Sequence, residues 1–358
     1  MRSITVAPLA AAAFAMAGAC GSALADPGMR VSGPHVHANL AIYLVHGTSA
    51  AGPVPLTLQE AIAKGNVQVS ETGRVNELEI ENTGSAPVFI QAGDIVKGGR
   101  QDRVLTVSFL LPANSGRLPI ASYCVEQGRW SARGTEDLKR FSSAGEAMPS
   151  RSALLAIAAP SPPREPTQPE AGANASQRVM READEVASKQ RQVWDSVAAT
   201  QRKLSQGLNA PVASPQSASS LQLALENDKL KEVRGAFMTA LQAAGEKDAD
   251  VVGYVVAING RISSANLYPS NALFRKMWAK QLAAAVTEAI GEAGGSAPAA
   301  TPAPAAATEF LAEAEKGKAY QRPVAAGTLQ EVRDADKFLY NEARAADGQW
   351  IHRNYLAK

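Results

Sequence analysis

Between residues 38 and 125 the apolar positions fall in short runs and in alternation with polar ones, the pattern of half-buried strands. Leu78 and Ile80, for example, alternate with Glu79 and Glu81. The runs predict strands at residues 38–45, 67–71, 77–82, 87–92, 104–111 and 118–125. Turn residues punctuate them: Asn82-Thr83-Gly84, Gly98-Gly99 and Ala113-Asn114-Ser115-Gly116. A short helix is predicted at 57–64, where Leu58, Ala61 and Ile62 share a face.

The pattern then changes. Residues 131–178 are rich in Ser, Ala, Pro and Arg, and the five prolines from Pro160 to Pro169 exclude a helix there. The whole segment reads as a long exposed loop. Helical spacing returns at 182–208, through Val186, Val193, Trp194, Val197 and Leu204. A second helix is predicted at 219–244, through Leu221, Leu225, Leu230, Val233, Phe237 and Leu241. Asn259-Gly260 between two β-rich runs marks a hairpin over 250–268, followed by a helix reaching Ile290 with Phe274, Met277 and Trp278 inward. Residues 294–307 read as an Ala/Pro linker, 308–315 as a short helix, and Asp347-Gly348 as the turn of a second hairpin. The predicted class is α+β, a β-rich N-terminal half with an antiparallel sheet followed by helices and two β-hairpins. The expected segments are 1–25, 26–130, 131–178, 179–293, 294–307 and 308–358.

Hydrophobic residues make up 46% of the 358, enough for a substantial core in one elaborated domain or two. The net charge of +2 provides no basic face for nucleic acid, so none is expected as a partner. Residues 1–25 read as an export signal: Arg2, an apolar stretch from Ile4 to Ala17, and Ala23-Leu24-Ala25 before Asp26. The expected location is therefore periplasmic or secreted. A rival reading makes Ala17-Gly18-Ala19-Cys20 a lipobox, with Cys20 lipidated as an anchor; Ala at the first position of that box matches weakly. No later window is long enough for a membrane span. On either reading one ordinary thiol, Cys124, remains, and no intramolecular disulfide is possible.

The candidate chemistry concentrates between Gly93 and Trp130. Lys97, Arg100, Gln101, Asp102 and Arg103 surround Gly98-Gly99, where guanidinium groups and backbone N–H donors would bind an anion. The bland alternative is a solvated hairpin tip. Glu126 is a candidate general base or ligand hook, with Arg129 beside it and Trp130 as a stacking platform; the alternative is an Arg–Glu pair over a core Trp. Cys124 lies between Tyr123 and Val125 and reads as a buried small hydrophobe. His35, His37 and His46 are too few, without acidic or Cys partners, for a zinc site, and no metal or cofactor is expected. No P-loop, G-x-S-x-G or dinucleotide fingerprint is present, which speaks against NTPase, serine-hydrolase and Rossmann dehydrogenase chemistry.

With these elements placed, the chain resembles the ARG and Rhodanese-Phosphatase-superfamily-associated Protein domain. The resemblance is carried by Asn76-Glu77-Leu78, Glu81 to Gly84, Gly93-Asp94, Lys97 to Arg103, Cys124 to Trp130, Gly253 to Tyr268, the Phe274/Trp278 helix and Ile351-His352. It covers roughly His37 to His352; Arg100 stands where Lys is more usual, and the terminal hairpin is ragged. The resemblance adds His352 to Glu126 as a catalytic candidate. It implies a role near NAD-derived or ADP-ribosylated metabolites, by association only. Two functions are open at this point: a binder, or processor, of a small anionic or nucleotide-like metabolite, and a non-catalytic envelope scaffold.

Overall fold

The computed structural model describes residues 28–158, 175–293 and 300–358. The expected export signal, Cys20 and the run from Pro160 to Pro169 lie outside them. In chain order the elements are β1 (Arg30–His37), β2 (Leu40–His46), β3 (Leu56–Thr57), α1 (Leu58–Ala63), β4 (Val67–Glu71), β5 (Glu77–Asn82), β6 (Val88–Ile90), β7 (Asp94–Gly98), β8 (Arg103–Leu105), β9 (Phe109–Leu111), β10 (Gly116–Cys124), β11 (Arg140–Ala147), α2 (Arg151–Ala158), α3 (Ala175–Gly207), α4 (Leu221–Leu225), α5 (Asp228–Lys247), β12 (Val251–Ile258), β13 (Arg261–Leu267), α6 (Asn271–Gly291), α7 (Pro304–Ala314), β14 (Lys318–Pro323), β15 (Leu329–Asp334), β16 (Phe338–Arg344) and β17 (Trp350–Ala357). The class is α+β, with a β-rich N-terminal half.

Three sheets form. Six strands close into a barrel in the order β10-β5-β4-β11-β7-β8, which leaves no open edge. Eight strands make a second sheet, β1-β2-β12-β13-β17-β16-β15-β14, and β3-β6-β9 make a third. Helices α3, α5 and α6 pack together, and α6 lies against β12. Their shared core includes Leu204, Phe237, Tyr254, Phe274 and Trp278. Helix α7 covers the opposite face, where Phe310 meets Tyr43 and Tyr355. The barrel has its own core, including Val69, Ile80, Val96 and Phe141.

Local chemistry explains most boundaries. Thr57 and Glu60 form a capping box that starts α1. Asn259 and Gly260 both adopt positive φ (51° and 73°), as the tight turn joining β12 to β13 requires. The two predicted hairpins sit side by side in one sheet, through pairing of β13 with β17.

Four expectations need correction. Residues 131–178 are not one loop, since β11, α2 and the start of α3 lie within them. The predicted strand 104–111 is two: β8 stays in the barrel, and the chain leaves through Thr106–Ser108 to pair β9 with β6. The predicted helix 219–244 breaks where Asn227 caps α5, its side chain accepting the Leu230 N–H. Helix α7 begins at Pro304, inside the expected linker, because proline is well suited to a first helical turn. The strands β14 and β15 have no counterpart in the sequence pattern, because their polar residues mask the period.

One buried acid makes stability depend on pH. Glu288 of α6 accepts the Arg151 N–H at the start of α2 (3.1 Å), and burial raises its carboxyl from an ordinary 4.5 to about 7. Its side chain keeps a partial opening to solvent, so the effect is an upper bound. A raised acid binds its proton more tightly in the folded state, so its contribution is complete below pH 4.5 and is lost as pH rises to about 7. Relative to Glu288→Gln, the protein should lose up to about 1.4 kcal/mol per pH unit through that window. Urea unfolding of both proteins between pH 4.5 and 8 checks this; parallel curves would exclude it.

Candidate functional site

The Gly98-Gly99 turn joins β7 to β8 in antiparallel pairing, Ile95 opposite Val104 and Val96 opposite Arg103. Gly99 has φ +55°, and an added Cβ would meet the Phe141 ring at 2.3 Å and the Glu71 carboxylate at 2.8 Å. The turn is therefore packed inward and is not a solvated tip. Arg103 and Asp102 have no exposed surface, and Gln101 is 5% exposed. Arg103 is paired with Cys124 of β10.

These side chains form a cluster of buried charges. Arg103 donates to Glu71 (3.4 Å) and to the Gln101 carbonyl (3.0 Å). Asp102 accepts from Gly98 N–H, from both terminal nitrogens of Arg133 (3.0 and 3.2 Å), and from the Ser220 hydroxyl. Glu126, fully buried, accepts from Arg129 at 2.6 Å, and its backbone carbonyl accepts from Gln101. Arg133 also reaches Glu136 (2.8 Å), and Lys97 pairs with Glu226 (2.6 Å). Burial outweighs the arginines and holds the Asp102 carboxyl above its ordinary range. Trp130 is not a core residue: it is 43% exposed, with the guanidinium groups of Arg100 and Arg103 over its ring at 5.2 and 5.7 Å. Four carboxylates (Glu71, Asp102, Glu126, Glu136) thus meet three arginines (Arg103, Arg129, Arg133), leaving no surplus of positive charge.

Cys124 is buried, and burial raises its thiol to about 11. It should resist thiol reagents at pH 8 until the chain is unfolded in urea, as read by mass spectrometry of the Cys124 peptide. Labelling of the native protein at the unfolded rate would revive the nucleophile reading. His352 does not join the charge cluster. It contacts Ser108 (3.1 Å) and Asn266 (3.1 Å), lies among the rings of Phe89 and Tyr268, and is pushed by burial down to about 3. The cavity beside it measures about 30 Å³, room for a single water. His46 bonds Asp250 and Ser32. Among the described residues, no three His, Cys, Asp or Glu side chains are grouped to hold a metal, and no helix is long and apolar enough to cross a membrane.

A family model for the ARG and Rhodanese-Phosphatase-superfamily-associated Protein domain matches residues 28–356. The chain belongs to this family. No curated protein and no solved structure matched the chain in the corresponding comparisons.

A cleft of about 520 Å³ opens beside β10. It is lined by Asn76, Ser122, Tyr123, Lys189 and Arg322, with aliphatic walls and, among the described residues lining it, no carboxylate. Lys189 is positioned by its neighbour. Gln190 of α3 accepts the Cys124 N–H (2.9 Å) and donates to the Cys124 carbonyl (2.9 Å), fixing the helix against β10. Arg322 of β14 is held by Gln330, which accepts from its Nε (2.9 Å). Burial lowers the Lys189 ammonium, and Arg322 lowers it further, while Glu185 opposes. Burial also draws Arg322 down and raises Tyr123; each is offset by the attraction between them. Arg322 is exposed over enough of its surface to remain charged.

Two polar atoms at the cleft are buried without a partner: Ser122 Oγ and Asn76 Nδ2. Ser122 is 1% exposed. Two cations lining one space supply the charge that an anion needs. Sequence reasoning missed this site because its residues come from four separated segments, one of them the unpredicted strand β14. Asn76 was visible only as part of the family motif, and Tyr123 only as a neighbour of Cys124.

Proposed function

We propose that this protein binds a small organic anion in the cleft between β10, α3 and β14. The observation that carries the reading is the lining itself: Lys189 and Arg322 line the cleft beside Ser122 and Asn76, and none of its described lining residues is a carboxylate. Its volume lies within the ~300–1,000 Å³ usual for small-molecule sites. Export to the periplasm or beyond is part of this proposal and rests on residues 1–25. The link to ADP-ribose or NAD metabolism rests on the family description alone.

A second reading places a ligand at the charge cluster. It is supported by buried atoms there that lack a hydrogen-bond partner, Glu71 Oε2 and Arg103 Nε, beside the exposed Trp130 ring. That cluster is charge-balanced from within, so the cleft is the better anion site. Thermal-shift titration of the full chain with ADP-ribose, NAD, sugar phosphates and alkyl phosphates tests the proposal. An anion at one hundred times its Kd should stabilise the fold by about 2.7 kcal/mol. No shift with any of them would count against it.

A further inference from the structure

We infer that the ligand of this cleft is a single-chain aliphatic anion, a hydrocarbon chain ending in a phosphate or carboxylate; this rests on the reading of the cleft as an anion site. The charged end is set by Lys189 and Arg322. The rest of the described lining is largely aliphatic: Val107, Leu118, Ile157, Val186, Val324 and Ala325.

What the lining lacks separates this ligand from a nucleotide. Tyr123 is the single aromatic ring among the described lining residues. A base is usually held by a ring to stack on, and ribose hydroxyls by a carboxylate that accepts from them. Tyr123 is one ring only, and among the described lining residues no carboxylate is present for a ribose. Aliphatic walls, by contrast, match a saturated chain, whose binding is non-directional and grows with the apolar area removed from water.

Chain length is therefore the test. Calorimetric titration of the full chain with methyl, butyl, hexyl and octyl phosphate, each below its aggregation concentration, should show affinity rising roughly two- to fourfold per methylene. Hexanoate and octanoate run in parallel decide whether the head is a phosphate or a carboxylate. Ala121→Trp, at an exposed position on the cleft wall, should keep methyl phosphate affinity and flatten the length dependence. Affinity independent of chain length, or ADP-ribose binding more tightly than octyl phosphate, would overturn the aliphatic ligand and leave the anion site standing. Failure of every anion to bind would overturn both.

Discussion

Asp102→Ala should destabilise the folded protein by about 3–5 kcal/mol, the usual cost of removing one partner from a buried charge pair. Asp102 is fully buried and ties the Gly98 N–H, the two-nitrogen contact of Arg133 and the Ser220 hydroxyl into one point. Burial already holds its carboxyl above the ordinary range, so the charge itself is a burden on the fold. The cost of alanine comes from what it leaves behind: a buried N–H without an acceptor and an arginine that loses a carboxylate. Asp102→Asn keeps an acceptor for Gly98 and should lose less. Urea midpoints of the three proteins decide it. A change of half a kcal/mol or less for Asp102→Ala would mean the cluster does not hold the hairpin.

The second large effect is on binding. Arg322→Gln should weaken hexyl phosphate by about ten- to a hundredfold, the loss of a charge-assisted hydrogen bond worth roughly 1.5–3 kcal/mol. The fold should be little affected, because Arg322 is exposed and its Nε donates to the neutral side chain of Gln330 rather than to a carboxylate. Arg322→Lys should recover part of the affinity, since a point charge cannot reproduce the two-pronged guanidinium contact. Arg103→Ala gives the contrasting pattern: large loss of stability, with cleft affinity retained by whatever fraction remains folded. Reversal of these two patterns would move the ligand to the charge cluster.

Much of the fold was legible in the chain because its signals are local. The Asn259-Gly260 turn, the Thr57 cap and the Leu78/Ile80 alternation each act within a few residues, and each element formed where they placed it. The Lys97–Arg103 string was also recognisable as a polar hairpin. Its burial was not, because inward packing depends on Phe141 and Glu71, which lie about thirty or forty positions away along the chain. Strand β14 and its Arg322 were missed for the same reason. A polar edge strand has no period of its own and is defined by its pairing with β15. A cleft assembled from Asn76, Ser122, Lys189 and Arg322 has no signature in sequence order at all.

Amine footprinting of the full chain, read by mass spectrometry with and without saturating hexyl phosphate, tests the central claim most directly. Burial and the nearby Arg322 lower the Lys189 ammonium, which favours its reaction with an acylating reagent near neutral pH. The cleft account predicts that hexyl phosphate protects Lys189 severalfold, while Lys97 in the charge cluster and the exposed Lys229 and Lys231 of α5 react at unchanged rates. Protection of Lys97 with Lys189 unaltered would contradict it.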